Sequence, residues 1–256
     1  MDTVITIPAL GDNLIYVVRY DGNDSFVIDP GDASPVLKIL KKNGLDLKTI
    51  LLTHHHWDHI GGASELKRKN GCEIVAGYKG GSRDVDRVVE DSHILTMGNT
   101  RIQVLATPGH TRTSVCYYMQ PSEENPKGFL WTGDTLFVGG CGRIFECNPQ
   151  TMWASLLKLA SLPDDTLVYC GHDYTLENYE FALSIEPDNE IVKRRLNDFR
   201  QMLRRGEQTV PSSILQEKET NPFLRADTPG LKAALSMTNA QAVEVFAELR
   251  RRKDVF

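Results

Sequence analysis

The stretch that decides the interpretation of this 256-residue sequence is Thr53-His54-His55-His56-Trp57-Asp58-His59. It holds four of the seven histidines and directly follows Thr49–Leu52, an apolar run typical of a buried strand. In an extended chain, side chains two positions apart point in the same direction. His54 and His56 are therefore expected to face one metal ion together.

The end of the stretch predicts a second ion. Asp58 and His59 fall where the chain turns into Gly61-Gly62 and the helix expected after them, so their side chains leave in another direction. Imidazole and carboxylate together suit zinc, and also iron or manganese. The alternative is a polar histidine-rich loop. It is disfavoured because the four histidines lie within six positions, directly after a strand.

Three further strand ends each present one residue of a metal-binding type after a glycine-containing turn. These residues are His110, Asp134 and His172, which follow Ile102–Ala106, Phe129–Trp131 and Thr166–Tyr169. Each one alone would more often be structural. Together with the first stretch they complete two sets of metal ligands, and only His93 stands outside the pattern.

Composition and charge exclude several classes of protein. The chain is 41% hydrophobic and 25% charged, as in ordinary globular proteins, and its net charge of −5 argues against a nucleic-acid-binding surface. No run approaches the roughly 20 apolar residues that span a bilayer, and the N-terminus resembles no targeting signal. The five scattered cysteines indicate reduced thiols in a cytoplasmic protein.

The secondary structure predicted from the sequence changes near residue 174. Before it, short runs rich in β-branched and aromatic residues predict strands. Two helices are expected there, one with Ser34 as its cap and Pro35 as its first residue, and one that opens at Asn148-Pro149. After it, helical periodicity dominates Leu176–Ile185, Glu190–Arg205 and Ala240–Arg252. We expect a β-rich sandwich with outer helices at 1–173 and a helical domain at 174–256.

The pattern His54-x-His56-x-Asp58-His59, with its three distant partners, resembles the metallo-β-lactamase superfamily. Two further segments, Gly139-Gly140-Cys141-Gly142-Arg143 and Gly171-His172-Asp173-Tyr174-Thr175, resemble its glyoxalase II branch, the hydroxyacylglutathione hydrolases. The resemblance extends over essentially the whole chain. It implies an αββα sandwich at 1–173 with a dinuclear metal site, followed by a smaller helical domain at 174–256 that binds glutathione.

Carried over residue by residue, the resemblance assigns seven ligands to two divalent ions, with zinc expected first and iron or manganese as alternatives. The first ion takes His54, His56 and His110; the second takes Asp58, His59 and His172; and Asp134 bridges both. The resemblance further implies catalytic roles for Asp58, which accepts or orients the proton of the attacking water, and for Asp134. Asp29 is expected to orient a ligand by a hydrogen bond.

The activity that follows from the resemblance is thioester hydrolysis. A hydroxide shared by the two ions attacks the carbonyl carbon, and the thiolate leaves without needing a strong general acid. The expected substrate is an S-(2-hydroxyacyl)glutathione, above all S-D-lactoylglutathione. Its cleavage to D-lactate and glutathione is the second step of methylglyoxal detoxification. We expect a cytoplasmic monomer with no nucleic-acid or membrane partner.

Five residues are candidates for contacts with glutathione by the same resemblance: Arg143, Phe145, Tyr174, Arg250 and Lys253. Two carboxylates on glutathione call for cations. As an alternative, the run of four cations from Arg250 to Lys253 is a solvated helix end, where positive charge favours the helix dipole. Phe145 stands where some members of the family carry a tyrosine, and Thr113-Ser114 also departs from the family pattern without removing a ligand.

Other functions remain open on the sequence. A persulfide dioxygenase would use a single iron and fewer ligands, a β-lactamase usually has a cysteine where Asp134 stands, and a flavodiiron protein would carry a glutamate in place of His56. A nuclease would need more positive charge than this chain offers. A metal-stabilised binding module without turnover is disfavoured, because structural zinc sites are usually closed and rich in cysteine.

Overall fold

The computed structural model describes residues 3–79, 84–123 and 125–256, and the chain divides into two compact units. The first unit runs to Ala106 and resumes over Thr113–Gly133. The second unit comprises Thr107–Arg112 and Asp134–Phe256. The predicted metal ligands are therefore divided between the units.

The first unit begins with a six-stranded sheet whose strands lie in chain order. Its first three strands are antiparallel and the remaining ones run parallel to the third. The strands are β1 (Thr3–Ala9), β2 (Asn13–Asp21), β3 (Asp24–Ile28), β4 (Asp46–Leu52), β5 (Glu73–Ala76) and β6 (Arg87–Val88). Parallel neighbours need crossover connections. These contain α1 (Ala33–Asn43) after β3, then α2 (Trp57–Ile60) and α3 (Ala63–Asn70) after β4.

Other elements of the first unit cover both faces of this sheet. Val36 of α1 and Leu66 of α3 pack with Val17 and Ile50 in one buried apolar cluster. A second, antiparallel sheet lies on the opposite face, with its strands in the order β10-β9-β8-β7. Their bounds are β7 (Ile94–Met97), β8 (Thr100–Ala106), β9 (Val115–Met119) and β10 (Phe129–Gly133).

Aromatic side chains hold the two sheets together. Phe26 of β3 meets Trp131 of β10 edge to face at 5.5 Å between ring centroids, and both rings are fully buried. The Tyr117 hydroxyl of β9 donates to the Leu52 carbonyl at 2.9 Å. Buried aromatic pairs such as Phe26 and Trp131 stabilise the packing beyond the area they bury. The Tyr117 hydrogen bond joins the two sheets at the carboxyl end of β4. That end is where the histidine-rich stretch begins.

The second unit is mainly helical. Its short strands are β11 (Leu136–Phe137), β12 (Gly140–Cys141), β13 (Leu167–Cys170) and β14 (Ser212–Ser213). Its helices are α4 (Pro149–Ala160), α5 (Thr175–Ile185), α6 (Glu190–Arg204), α7 (Ile214–Thr220), α8 (Pro229–Ala234) and α9 (Ala242–Lys253). Phe181, Phe223 and Phe246 form its buried aromatic core, and Trp153 packs α4 onto α9. The predicted change to mainly helical structure near residue 174 is confirmed.

The helix starts test the capping rules directly. Asn148 caps α4 as predicted, because its side chain accepts from the Thr151 amide. The predicted cap at Ser34 is wrong. Asp32 caps α1 by accepting from the Ser34 amide at 2.8 Å, so the helix begins at Ala33, two residues earlier than expected. Among residues 3–79, 84–123 and 125–256, no helix is long and apolar enough to cross a membrane.

Candidate metal centre

The first unit brings the histidine-rich stretch to one place at the end of β4. His54 is fully buried and His56 is half-buried, and their Nε2 and Nδ1 atoms are 3.1 Å apart. The short helix α2 then places Asp58 and His59 in one turn, with 3.4 Å between Asp58 Oδ2 and His59 Nε2. Four ligand-type side chains therefore converge within six positions of the chain.

Asp29, at the end of β3, orients the histidines of this cluster. Its carboxylate accepts from the Thr53 amide at 2.8 Å, the Thr53 hydroxyl at 2.6 Å and His59 Nδ1 at 2.9 Å. The Thr53 hydroxyl also lies 3.0 Å from His54 Nδ1. Because the Nδ1 atoms of His54 and His59 are engaged in this way, their Nε2 atoms carry the lone pairs that a metal ligand needs. Asp29, His54 and His59 also offer atoms within 4.8 Å of one another.

Asn13 and Gly31 shape the position of Asp58, and the sequence pattern indicated neither of them. The Asn13 amide donates to Asp58 Oδ2 at 3.0 Å and to the Asp58 carbonyl at 3.3 Å. A Cβ on Gly31 would lie 1.9 Å from that same carbonyl oxygen, so only glycine fits there. Asn13 and Asp58 are 45 positions apart, and no local pattern connects them.

The second unit gathers the other three predicted ligands around Asp134. Its Oδ2 lies 3.4 Å from the Nε2 atoms of both His110 and His172. His110 Nδ1 donates to the Arg143 carbonyl at 2.8 Å, so its Nε2 carries the lone pair that a metal ligand needs. The ring of His172 is stacked on Tyr174, with centroids 5.0 Å apart and an angle of 4° between the planes.

The spacing of these atoms fits metal coordination. Ligands at about 2.0–2.1 Å from a tetrahedral ion lie about 3.3–3.4 Å from one another. In the first unit, the ligand-type atoms of His54 and His56 are 3.1 Å apart, and those of Asp58 and His59 are 3.4 Å apart. In the second unit, Asp134 lies 3.4 Å from each of its two histidines. Histidine nitrogens and carboxylate oxygens in these clusters are suited to zinc, iron or manganese.

A cavity of about 370 Å³ in the second unit contains the five predicted glutathione contacts. Arg143, Phe145, Tyr174, Arg250 and Lys253 all line it, beside His110 and Asp134. Phe145 is 62% exposed, and its ring centroid lies 5.2 Å from that of His110. A polar and apolar lining next to metal-type ligands is typical of a substrate site.

The cationic run at the end of α9 divides into two pairs. The exposed Arg251 and the half-buried Arg252 both pair with Glu248 on their own helix, as a solvated helix end would. Arg250 and Lys253 are only 6% and 9% exposed and face the cavity. The solvated-end alternative therefore describes two of the four residues.

Arg250 is held by several contacts inside the second unit. Its Nη1 donates to the Cys141 carbonyl at 2.7 Å, its Nε and Nη2 pair with Asp254, and its guanidinium lies 5.1 Å from the ring centroid of Phe223. Burial raises the pKa of the Cys141 thiol to about 11, although Arg250 opposes that shift. The thiol is therefore protonated at neutral pH, and Cys141 is a wall residue rather than a nucleophile.

The sequence model described as "Metallo-beta-lactamase superfamily" matches residues 9–82 and 77–172, and that described as "Hydroxyacylglutathione hydrolase C-terminus" matches residues 173–256. A hydroxyacylglutathione hydrolase of Photobacterium profundum is 44% identical, with 100% of both chains covered. One of Rhodopseudomonas palustris (strain BisB5) is 41% identical, covering 97% of this chain and 96% of the relative.

Solved structures support the fold alone. The crystal structure of ETHE1 from Myxococcus xanthus has a TM-score of 0.69 at 24% identity, covering 97% of this chain and 90% of that one. TTHA1623 in a di-iron-bound form has a TM-score of 0.60 at 24% identity, covering 87% and 100%. The predicted αββα fold and the resemblance to the glyoxalase II branch are confirmed. By its full-length similarity, the chain belongs to the hydroxyacylglutathione hydrolase family of the metallo-β-lactamase superfamily.

Proposed function

We propose that this chain is a metal-dependent thioesterase that hydrolyses S-(2-hydroxyacyl)glutathione, above all S-D-lactoylglutathione, to a 2-hydroxy acid and glutathione. The observation that carries the proposal is similarity over the full length. Relatives with this activity in their names cover both the metal-ligand segments and the C-terminal region. The predicted cytoplasmic location and monomeric state stay predictions.

Two divalent ions, zinc first, are held by the seven predicted ligands in this proposal. His54, His56 and His110 would hold one ion, Asp58, His59 and His172 would hold the other, and Asp134 would be a ligand to both. Support comes from the distances between the histidine nitrogens and carboxylate oxygens inside each unit, which match the distances between ligands of one metal ion. When bound, such a pair of ions would lower the pKa of a coordinated water to about 7 and would polarise the thioester carbonyl. Iron or manganese would fit the same donors.

The chain's own residues supply position and charge. Asp58 receives a hydrogen bond from Asn13 at 3.0 Å, which holds its carboxylate in position to accept or orient the proton of the attacking water. Asp29 keeps His59 in one tautomer. The departing thiolate of glutathione is a good leaving group, so no strong acid is required beside it.

Residues 174–256 are proposed as the glutathione-binding domain, completed by Arg143 and Phe145. Arg250 and Lys253 lie buried at the cavity wall, where their charge is less screened than on an open surface. They match the carboxylates of glutathione. Phe145 offers only packing, because it has no hydroxyl.

The test is an assay of S-D-lactoylglutathione hydrolysis with protein of measured metal content. The decrease in thioester absorbance measures the rate. We expect activity that disappears when a chelator removes the metals and returns with added zinc. His56→Ala should lower kcat/KM by at least about 100-fold, since loss of even an outer ligand-orienting group typically costs 10–100-fold. His93→Ala is the matched control. This exposed histidine lies outside the predicted ligand set, so its variant should retain wild-type activity.

Two results would overturn the proposal. Thioester hydrolysis that persists in protein free of metal would remove the role of the ions. Oxygen consumption with glutathione persulfide, in the absence of thioesterase activity, would favour the dioxygenase alternative instead.

A further inference from the structure

A short hairpin lies directly against the metal-type ligands of the second unit. It comprises residues 136–143 and is formed by β11 and β12. A Cβ on Gly142 would lie 2.0 Å from the Asp134 carbonyl oxygen and 3.1 Å from His110 Nδ1. The next residue, Arg143, supplies the carbonyl that accepts from His110 Nδ1 at 2.8 Å. The position of the 136–143 hairpin therefore sets the orientation of the His110 ring.

The hairpin is too short to hold its own shape. Each of its strands has two residues, and an isolated two-stranded hairpin is only marginally stable in water. Its position therefore depends on the elements packed against it. Arg250 of α9 donates to the Cys141 carbonyl at 2.7 Å, and Asn178 of α5 donates to the Val138 carbonyl at 3.0 Å. The amide of Gly139, at the tip of the hairpin, is bonded by a third element.

The third element is α7, together with Asn221 directly after it. Glu217 Oε2 accepts from the Gly139 amide at 2.8 Å. The Asn221 side chain donates to the Gly140 carbonyl and to Glu217 Oε2, both at 2.9 Å. Glu217 and Asn221 are both fully buried. They therefore bond to each other and to the tip of a hairpin that lies about eighty positions earlier in the chain.

A carboxyl group is a costly side chain for this position. Burial raises the pKa of Glu217, because a charged carboxylate loses its hydration there. An apolar side chain of similar size would avoid that penalty, and replacing buried ionic groups by apolar ones is often neutral or stabilising. The stability of the second unit therefore does not explain the carboxyl group. An acceptor for the Gly139 amide is what an apolar side chain could not provide.

We propose that Glu217 is a positioning residue for the metal site. Its hydrogen bond to Gly139 holds the 136–143 hairpin in place, so that the Arg143 carbonyl stays within hydrogen-bond reach of His110 Nδ1. His110 then keeps its proton on Nδ1 and its lone pair on Nε2, which is the form that binds a metal ion. The inference rests on the proposed function only in taking His110 as a metal ligand.

A merely structural role for Glu217 makes a different prediction. Loss of its carboxyl group would then weaken the fold of the second unit and leave the metal affinity of the folded protein unchanged. Zinc affinity and the hydrogen bond of His110 Nδ1 therefore separate the two roles. Both can be measured without any substrate.

The experiment compares Glu217→Leu with Glu217→Gln. Leucine is similar in size to glutamate but offers no acceptor to the Gly139 amide, whereas glutamine keeps one oxygen for it. In competition with a chromogenic chelator, Glu217→Leu should bind zinc about 10-fold more weakly, the lower end of the range for groups that orient a ligand. Glu217→Gln should bind zinc as the wild type does. In proton NMR, with or without zinc, the Nδ1 proton of His110 should remain protected from exchange in Glu217→Gln and lose its protection in Glu217→Leu.

Leu231→Ala is the control for lost stability. Leu231 is fully buried in α8, so its truncation destabilises the second unit without removing a hydrogen bond to the hairpin. It should change neither the zinc affinity nor the His110 proton. If Glu217→Leu does not fold, Glu217→Asp takes its place. Aspartate keeps the acid but withdraws its oxygens by about 1.5 Å, the length of one C–C bond, so the same loss of zinc affinity is expected.

Three outcomes would overturn the inference. They are an unchanged zinc affinity in folded Glu217→Leu or Glu217→Asp, an equal loss of affinity in Glu217→Gln, or an equal loss in Leu231→Ala. Weaker zinc binding by Glu217→Leu that Glu217→Gln restores would support the role of Glu217 even if the wild-type protein hydrolysed no thioester. That last result would overturn only the proposed function.

Discussion

Substitution of Asp29 by asparagine tests how the first unit orients its metal ligands. Both Thr53 Oγ1 and His59 Nδ1 donate to Asp29 Oδ2, while the Thr53 amide donates to Oδ1. An asparagine has one oxygen for these two positions, so its amide group must face at least one buried donor. Leaving a buried donor without an acceptor costs about 1–3 kcal/mol in free energy of unfolding.

The expected effect on metal binding is similar in free energy to the effect on stability, because each tenfold change in affinity corresponds to about 1.4 kcal/mol. Loss of a group that orients a ligand typically lowers metal affinity 10- to 100-fold. Asp29→Asn should therefore fold, lose about 1–3 kcal/mol in urea denaturation of the metal-free protein, and bind zinc about 10- to 100-fold more weakly in competition with a chromogenic chelator.

Asp32→Asn provides the control on the same loop. Asp32 accepts a single hydrogen bond, from the Ser34 amide at the start of α1, and asparagine is as good a helix cap as aspartate. Its stability and zinc affinity should both match the wild type. Zinc affinity of Asp29→Asn within about twofold of the wild type, at the expected loss of stability, would refute the orienting role of Asp29.

Two further predictions concern stability and backbone packing. Burial raises the pKa of Glu217 above the usual glutamate value of 4.5, so its contribution to stability is present below that value and is lost as the pH rises towards the folded-state pKa. Glu217→Gln should consequently gain in stability relative to the wild type as the pH rises from about 4.5, by at most about 1.4 kcal/mol per pH unit. Urea denaturation at several pH values measures this difference. A difference between the two proteins that does not depend on pH would contradict the prediction. Gly31→Ala would press a methyl group against the Asp58 carbonyl, so we expect a loss of about 1–3 kcal/mol in thermal unfolding together with less bound metal. Gly230→Ala, where a Cβ meets nothing within 4 Å, should lower neither quantity.

Local sequence was sufficient for the elements whose signals are short-range. The strand alternation, the cap at Asn148 and the periodicity of α5, α6 and α9 depend on neighbours within one or two turns. The start of α1 was misplaced because two capping residues, Asp32 and Ser34, compete within three positions. Only the backbone conformation decides which of them lies outside the helix. Two-residue strands such as β6 and β14 carry too few residues to show any period.

The cationic end of the chain shows the limit of a charge pattern. Four consecutive cations look equivalent in the sequence, yet Arg250 and Lys253 are buried whereas Arg251 is exposed and Arg252 half-buried. Positions three apart share one face of a helix, so the separation follows from which face α9 turns towards the cavity. The packing of α9 on α4 and on the aromatic core determines that face. The contact with α4, between Trp153 and Phe246, joins residues nearly a hundred positions apart.

The histidine-rich stretch by itself determined the type of chemistry, because ligand identity and spacing are properties of consecutive residues. The tertiary structure alone decided how those ligands are directed. Asn13 reaches Asp58, and Asp29 reaches His59, across 45 and 30 positions of chain. A side chain's hydrogen-bond partner is set by which strands become neighbours in the sheet. That information is non-local, and no periodicity of the sequence contains it.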